Sequence, residues 1–357
     1  MKQKIKNLVI GAFTLILMIN CLGLLNMNVN FVDSTDGNLY VNYLGGVNLS
    51  VGYCIRLDNN RAYVSSNDGI DIIDIQNPMA PTHIGLIDES IIGFDVRDNI
   101  VYTSNEDGLI IVNTSNANDP VTIGSVTSGQ WGYSMRVNDT LVFSVGGGDM
   151  AIYDVSDLNN PLFVGDYTDT GRGNDIVIYG ETAYYADPDE GLEVINVTDH
   201  TNPVKIRTVS NTLGAWDLYI NDDQLFLGCH GLGLKVLDIS NPTNPSIIRQ
   251  FNDGGEVYGV CGNDTYIFLG DLQEGAEVLN HSNPTYLSEI ASYTATPHDI
   301  EFNGNHIYLA DQDNGFLLLE LSPIQRTNTN GLNSINISLL IPIFGLIVIL
   351  QIKSRRK

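Results

Sequence analysis

The chain has 357 residues and a formal net charge of −25, with 43% hydrophobic and 8% aromatic residues. That length allows one large or two ordinary domains with a sizeable core, and a surface so acidic repels phosphates and so disfavours nucleic acid as a partner. The charge is unevenly placed: all 42 acidic residues lie between Asp33 and Glu320, where only nine Arg and Lys accompany them.

Residues 1–30 carry Lys2, Lys4 and Lys6 and then the apolar run "LVIGAFTLILMINCLGLL". This pattern predicts a signal peptide or an uncleaved N-terminal anchor helix. Cys21 lacks the small preceding residues that lipid attachment wants, since Met18, Ile19 and Asn20 stand before it. The other cysteines, Cys54, Cys229 and Cys261, show no metal-ligand spacing; an oxidising exterior would permit one disulfide, with the pair unspecified. Seven Asn-X-Ser/Thr sequons begin at Asn48, Asn113, Asn138, Asn196, Asn263, Asn280 and Asn336, which outside the cell makes a glycoprotein.

From residue 38 to 322 the chain repeats itself. Gly69 in "GIDIID", Gly108 in "GLIIVN", Gly191 in "GLEVIN", Gly233 in "GLKVLD", Gly275 in "GAEVLN" and Gly315 in "GFLLLE" open equivalent apolar runs, with Asp149 of "DMAIYD" in the remaining slot. Successive steps are 39, 41, 42, 42, 42 and 40 residues. Pro81, Pro120, Pro161, Pro203, Pro245 and Pro284 keep the same beat. Each unit splits into four short strand-like runs separated by Asn, Asp, Gly and Pro clusters that favour turns. No sustained 3.6-residue period intervenes. Seven units of four antiparallel strands predict an all-β, seven-bladed β-propeller. The seventh unit stops after "LLLELS", one strand short, and "NLYVNYLGG" near the N-terminus resembles the fourth strands "PLFVGDY" and "PVTIGSV". Residues 38–44 are therefore expected to supply the outer strand of the last blade.

Beyond a linker at 323–334, the stretch "INISLLIPIFGLIVILQIKSRRK" predicts a transmembrane helix over 335–352 and a basic tail at 353–357. The basic tail belongs on the cytoplasmic side, which puts the acidic propeller outside, on the cell surface. Sequence does not decide whether the terminal helices are retained or removed.

The runs "GLIIVN" and "GLKVLD" followed by "ISNPTNP" resemble the LVIVD repeat of bacterial and archaeal surface β-propellers, over about residues 51–322. The resemblance implies a propeller in an extracellular setting and brings no catalytic residues with it. Gly-His and Trp-Asp pairs at repeat spacing, which would mark a WD-repeat propeller, are missing.

Two features draw attention as functional candidates. The innermost strands begin "GFDV", "GNDI", "AWDL" and "PHDI", placing Asp95, Asp175, Asp217 and Asp299 in one repeat column at one mouth of the channel. Carboxylates so arranged attract cations, and Ca²⁺ is the cofactor such oxygen ligands favour; the competing explanation is that they cap strand starts through backbone amides. His298 beside Asp299 is the one acid–base pair at that mouth. Turns such as "DPDEG" and "DQDNG" are acidic as well, but they lack calcium-loop spacing and fit turn capping better. Tyr53, Phe94, Tyr133, Trp216 and Tyr258 gather at the same strand starts, either as blade packing or as a stacking platform for a sugar or aromatic ligand. No HExxH, nucleophile elbow or P-loop occurs. The expectation is a non-catalytic, membrane-anchored binding or scaffold module with a surface protein or glycan, a divalent cation or a cationic ligand as partner. The alternative is an extracellular propeller enzyme, a lyase, lactonase or glycan hydrolase, with a metal at the mouth.

Overall fold

The computed structural model describes residues 39–323, apart from 89–92, 106, 130–131, 148, 169–170 and 284, together with the strands 338–343 and 346–351. Seven four-stranded antiparallel sheets follow one another along the chain. Their innermost strands are Ile55–Asp58, Phe94–Arg97, Ser134–Asn138, Asp175–Tyr179, Asp217–Asn221, Val257–Gly262 and Pro297–Asn303, in blades one to seven. The last blade is completed from the other end of the chain. Leu39–Asn48 pairs antiparallel with Gly315–Pro323, Leu39 opposite Pro323 and Asn48 opposite Gly315. The closing strand is thus present as expected, and longer than residues 38–44.

The repeat motif maps onto the third strand of each blade, and each of its fixed positions has a physical cause. The opening glycine lies in the left-handed half of backbone space in all six copies that have it, with φ from 72° at Gly233 to 141° at Gly108. A Cβ there would sit 2.4 Å from Val126 O in blade two and 2.3 Å from Tyr293 O in blade six, so both conformation and space demand glycine. The closing Asp or Asn folds back to accept the backbone N–H two residues on: Ser156 N donates to Asp154 Oδ1 and Ser240 N to Asp238 Oδ1, each at 2.8 Å. This turns the chain into the outer strand. The proline turns also serve the neighbouring blade: Gly124 of blade two abuts Leu158 and Pro161, which belong to blade three.

Apolar third strands are explained by burial on both faces. Seven core clusters exist among the described residues, and each joins two adjacent blades. Tyr63, Ile70 and Ile72 of blade one meet Phe94, Val101 and Ile110 of blade two, and so on around the ring to Tyr308, Phe316 and Leu318 against Ile55, Val64 and Ile73. No blade owns a core of its own, so each depends on both neighbours, and closure buries the last face.

The expected signal or anchor segment at 1–30, with Cys21, lies outside the described residues, as do the basic tail at 353–357 and all but one residue of the linker at 323–334. Within 335–352, where a helix was expected, Ser338–Ile343 pairs antiparallel with Leu346–Gln351. No helix among the described residues is long and apolar enough to cross a membrane. Cys54, Cys229 and Cys261 are free thiols.

Candidate functional site

The central channel is a cavity of about 460 Å³ lined by side chains of the innermost strands, among them Arg56, Asp95, Arg136, Asp217, Asp299 and Glu301. Three aspartates of the predicted column, Asp95, Asp217 and Asp299, line this cavity, and Asp175 reaches it through Arg136. Their carboxylates do not point into open space. Each reaches sideways to the next blade's innermost strand and accepts a backbone N–H there. Val137 N donates to Asp95 Oδ2 at 2.7 Å, Leu218 N to Asp175 Oδ2 at 3.1 Å, Val260 N to Asp217 Oδ2 at 2.6 Å, and Ile55 N to Asp299 Oδ2 at 3.0 Å. The four aspartates therefore tie blades two to three, four to five, five to six and seven to one.

Where the column lacks aspartate, other arrangements hold the junction. Ser134 Oγ donates to Asp175 Oδ1 at 2.7 Å between blades three and four. At Gly259 the strands of blades six and seven approach so closely that a Cβ would lie 3.0 Å from both Asp299 Cα and Ile300 N, leaving little room for a side chain. Both carboxylate oxygens of Asp95 are engaged, the second by Val96 N at 2.8 Å, and Asp299 Oδ1 accepts Ile300 N at 2.8 Å.

Two arginines that the sequence reading passed over complete this network. Arg56 Nη1 stands 2.8 Å from Asp299 Oδ2 and 3.6 Å from Glu301 Oε1, and Arg136 Nη2 stands 2.9 Å from Asp175 Oδ1. Both lie two residues beyond the aspartate column, at positions that a strand's period of two sends to the same side. Burial weighs against either charge, but the surrounding carboxylates outweigh it and hold both guanidiniums protonated. Carboxylates already committed to amide and guanidinium donors, with two fixed cations among them, do not fit a Ca²⁺ site. Hydrogen bonding across the blades is the physical use of the column.

Asp217 sits deep among like charges. Burial, then Asp175 and Asp299, push its carboxyl well above the usual range, with Arg136 only partly opposing. Glu301 is pushed up to about 7, first by burial and then by Asp299, against the pull of Arg56. A proton bound more tightly in the folded state stabilises it fully below about pH 4.5, and that gain is lost as pH rises through about 7. The urea midpoint is expected to fall between pH 5 and 8, Asp217 contributing with the same sign, and Glu301→Gln should flatten that slope. An unchanged slope in the variant would remove Glu301 from the account.

His298 and Asp299 do not form an acid–base pair. Neighbouring residues of a strand face opposite ways, so Asp299 turns to Ile55 and Arg56 while His298 Nδ1 donates to Gly52 O at 2.9 Å. The His298 ring instead stacks on Tyr53, centroids 5.5 Å apart and 21° between planes, and approaches Tyr258 at 5.9 Å. Tyr258 meets Trp216 at 4.6 Å and His230 at 5.0 Å, and its hydroxyl lies 2.9 Å from His230 Nε2. Five half-buried rings thus run continuously along the mouth over blades five, six, seven and one. Leu213 and Leu232, close in sequence to Trp216 and His230, are 55% and 49% exposed, and Glu256 lies 3.6 Å from His230. Phe94 departs from this group, wholly buried between blades one and two. His230, in a second-to-third-strand turn, was not anticipated from sequence.

The remaining chemistry is quiet. Burial raises the thiols of Cys54 and Cys261 and takes that of Cys229 to about 12, so none offers a thiolate nucleophile. Asp187, Asp271 and Asp311, from the acidic turns, are buried and each caps its own turn; Asp271 Oδ1 accepts Gln273 N and Glu274 N at 2.7 and 2.9 Å.

A model of the LVIVD repeat matches residues 55–88, 144–169, 170–210, 214–253 and 297–322, within the seven-bladed ring just described. The chain is a seven-bladed β-propeller that carries LVIVD repeats. No curated protein matches it in sequence. Solved structures similar to this LVIVD propeller include the β-propeller domain of Cps50 (Swd1) from Myceliophteria thermophila, with TM-score 0.64, 10% identity, and coverage of 79% of this chain and 100% of that one. The WD40 β-propeller domain of Doa1 aligns with TM-score 0.61 and 12% identity over 78% of this chain and 96% of the other. The computationally designed Ika8 protein gives TM-score 0.55 at 10% identity, covering 77% and 100%. Identities this low speak for the fold alone.

Proposed function

We propose that this LVIVD propeller is a non-catalytic binding module of the cell surface that receives a cationic ligand on the aromatic mouth of its channel. The observation that carries the proposal is the continuous row of Tyr53, His298, Tyr258, Trp216 and His230, half-buried yet open to solvent, with Glu256 beside it. Aromatic faces attract organic cations, each contact adding about 0.5–2 kcal/mol. The net charge of −25 raises the local concentration of such ligands at low salt. A metal-dependent enzyme is the weaker reading, because the channel carboxylates are spoken for by amides and arginines. The terminal apolar segments and the basic tail, read from sequence, support a membrane-anchored chain with its ring outside.

Titration of the full chain with oligolysine, followed by fluorescence, tests the mouth. Trp216→Ala is expected to weaken binding by about 5- to 30-fold, as loss of about 1–2 kcal/mol implies, and the wild-type affinity should fall with added salt. Equal binding by both proteins, or binding of neutral oligosaccharides but not of oligolysine, would count against a cationic ligand.

A further inference from the structure

The third residue of the third-strand motif forms a column of its own, and in blades one to six the residue twelve positions later stands diagonally across from it on the outer strand. In blade one these are Asp71 and His83, whose Oδ1 and Nε2 lie 2.8 Å apart, and Ser66 Oγ donates to the other carboxylate oxygen at 2.7 Å. In blade four they are Glu193 and Lys205, which form an ion pair, with Tyr167 hydroxyl donating to Glu193 Oε2 at 3.0 Å. The registers agree: Asp71 faces Leu86 and His83 faces Ile73, while Glu193 faces Thr208 and Lys205 faces Ile195, diagonally across one bulge. Both buried acids thus have a basic partner on the outer strand.

Blade six has the same register and the opposite chemistry. Glu277 faces Ser292, and the partner position, paired with Leu279, is Glu289. Asp253, from the connection between blades five and six, joins them, and ligand-capable oxygens of the three carboxylates all lie within 4.8 Å of one another. Glu277 is only 2% exposed, and its Oε2 has no hydrogen-bond partner. A carboxylate oxygen buried without a donor and facing two further carboxylates is unstable unless something positive joins it. Asp271 and Glu274 add negative charge nearby.

We infer that Asp253, Glu277 and Glu289 form a divalent-cation site for Ca²⁺, with the metal taking the place that His83 and Lys205 hold in blades one and four. All donors are carboxylate oxygens, which select hard cations over zinc. Asp253 is exposed, so an ion reaches the site from solvent, and waters complete the shell of six to eight oxygens that Ca²⁺ takes. The site lies apart from the aromatic mouth and does not depend on the function proposed for it.

Calorimetric titration of the metal-stripped full chain with CaCl₂ at pH 7 tests the site. Wild type is expected to bind at Ca²⁺ up to ~1 mM, and Glu277→Gln is expected to lose that binding. Glu289→Lys rebuilds the pair of blade four. It should abolish the calcium signal while melting without calcium at or above the temperature of metal-free wild type, which separates loss of ligand from loss of fold. Calcium should raise the melting temperature of wild type only. No binding by wild type, or undiminished binding in both variants, overturns the assignment, and oligolysine binding should be the same in all three proteins.

Discussion

Replacing Arg56 with Met is expected to destabilise the ring by about 3–5 kcal/mol, the cost of stripping the cation from a buried ion pair. Arg56 is 11% exposed in its side chain and Asp299 12%. The pair spans the junction of blades seven and one, where the ring closes, and Arg56 also lies near Glu301. Without the guanidinium, Asp299 and Glu301 face one another unneutralised. Glu301, raised to about 7 even beside Arg56, is relieved by protonation, so the loss should be largest above pH 7 and shrink towards pH 5, and Glu301→Gln added to Arg56→Met should recover part of it. The exposed pair Arg172–Asp189, with side chains 62% and 55% accessible, is the control, and Arg172→Met should stay within about 0.5 kcal/mol of wild type. Urea midpoints of the four proteins decide the matter. A midpoint for Arg56→Met as close to wild type as that of Arg172→Met would mean that the channel arginine is not a structural cation.

Deleting residues 39–48 should have the larger effect and abolish the soluble monomer. Val41 is buried among Leu319, Leu321 and Ile307 of blade seven, while Leu44 and Val47 pack into the core between blades seven and one. Their removal exposes the whole edge of Gly315–Pro323, and an apolar edge strand of that length recruits strands from other chains. Size-exclusion chromatography should show aggregates or strand-swapped oligomers in place of a monomer. A synthetic peptide of residues 38–50 added during refolding should restore the monomer. A deletion mutant that elutes as a monomer and keeps the wild-type urea midpoint would show that the ring holds without the strand.

The architecture was legible because its determinants are local and recur. Left-handed glycines, turn-capping Asp and Asn, and doubly covered third strands each leave a mark every 40 or so residues, and Gly315 announced a blade whose partner had to be sought at the other terminus. The site was legible only in part. Asp95, Asp175, Asp217 and Asp299 could be found as a column, but their sideways reach to the next blade depends on blade spacing, which no single repeat encodes. Arg56 and Arg136 were open to discovery, since two residues along a strand returns to the same face. The acidic trio of blade six needed a comparison between repeats. Glu277 and Glu289 look ordinary alone, and only Asp71 with His83 and Glu193 with Lys205 show what those positions otherwise hold.

Leu39 opposite Pro323 means that both ends of the ring leave it at one point on the rim. Antiparallel partners drawn apart from a shared end come undone one hydrogen bond at a time, like a zip, rather than resisting together. Tension between the two termini would therefore open blade seven first and leave the other six blades in place until the strand is free. Were the two ends held side by side in one surface, they would feel no such tension. The closure that completes the ring is thus also its mechanical fuse, safe only while its two ends stay together.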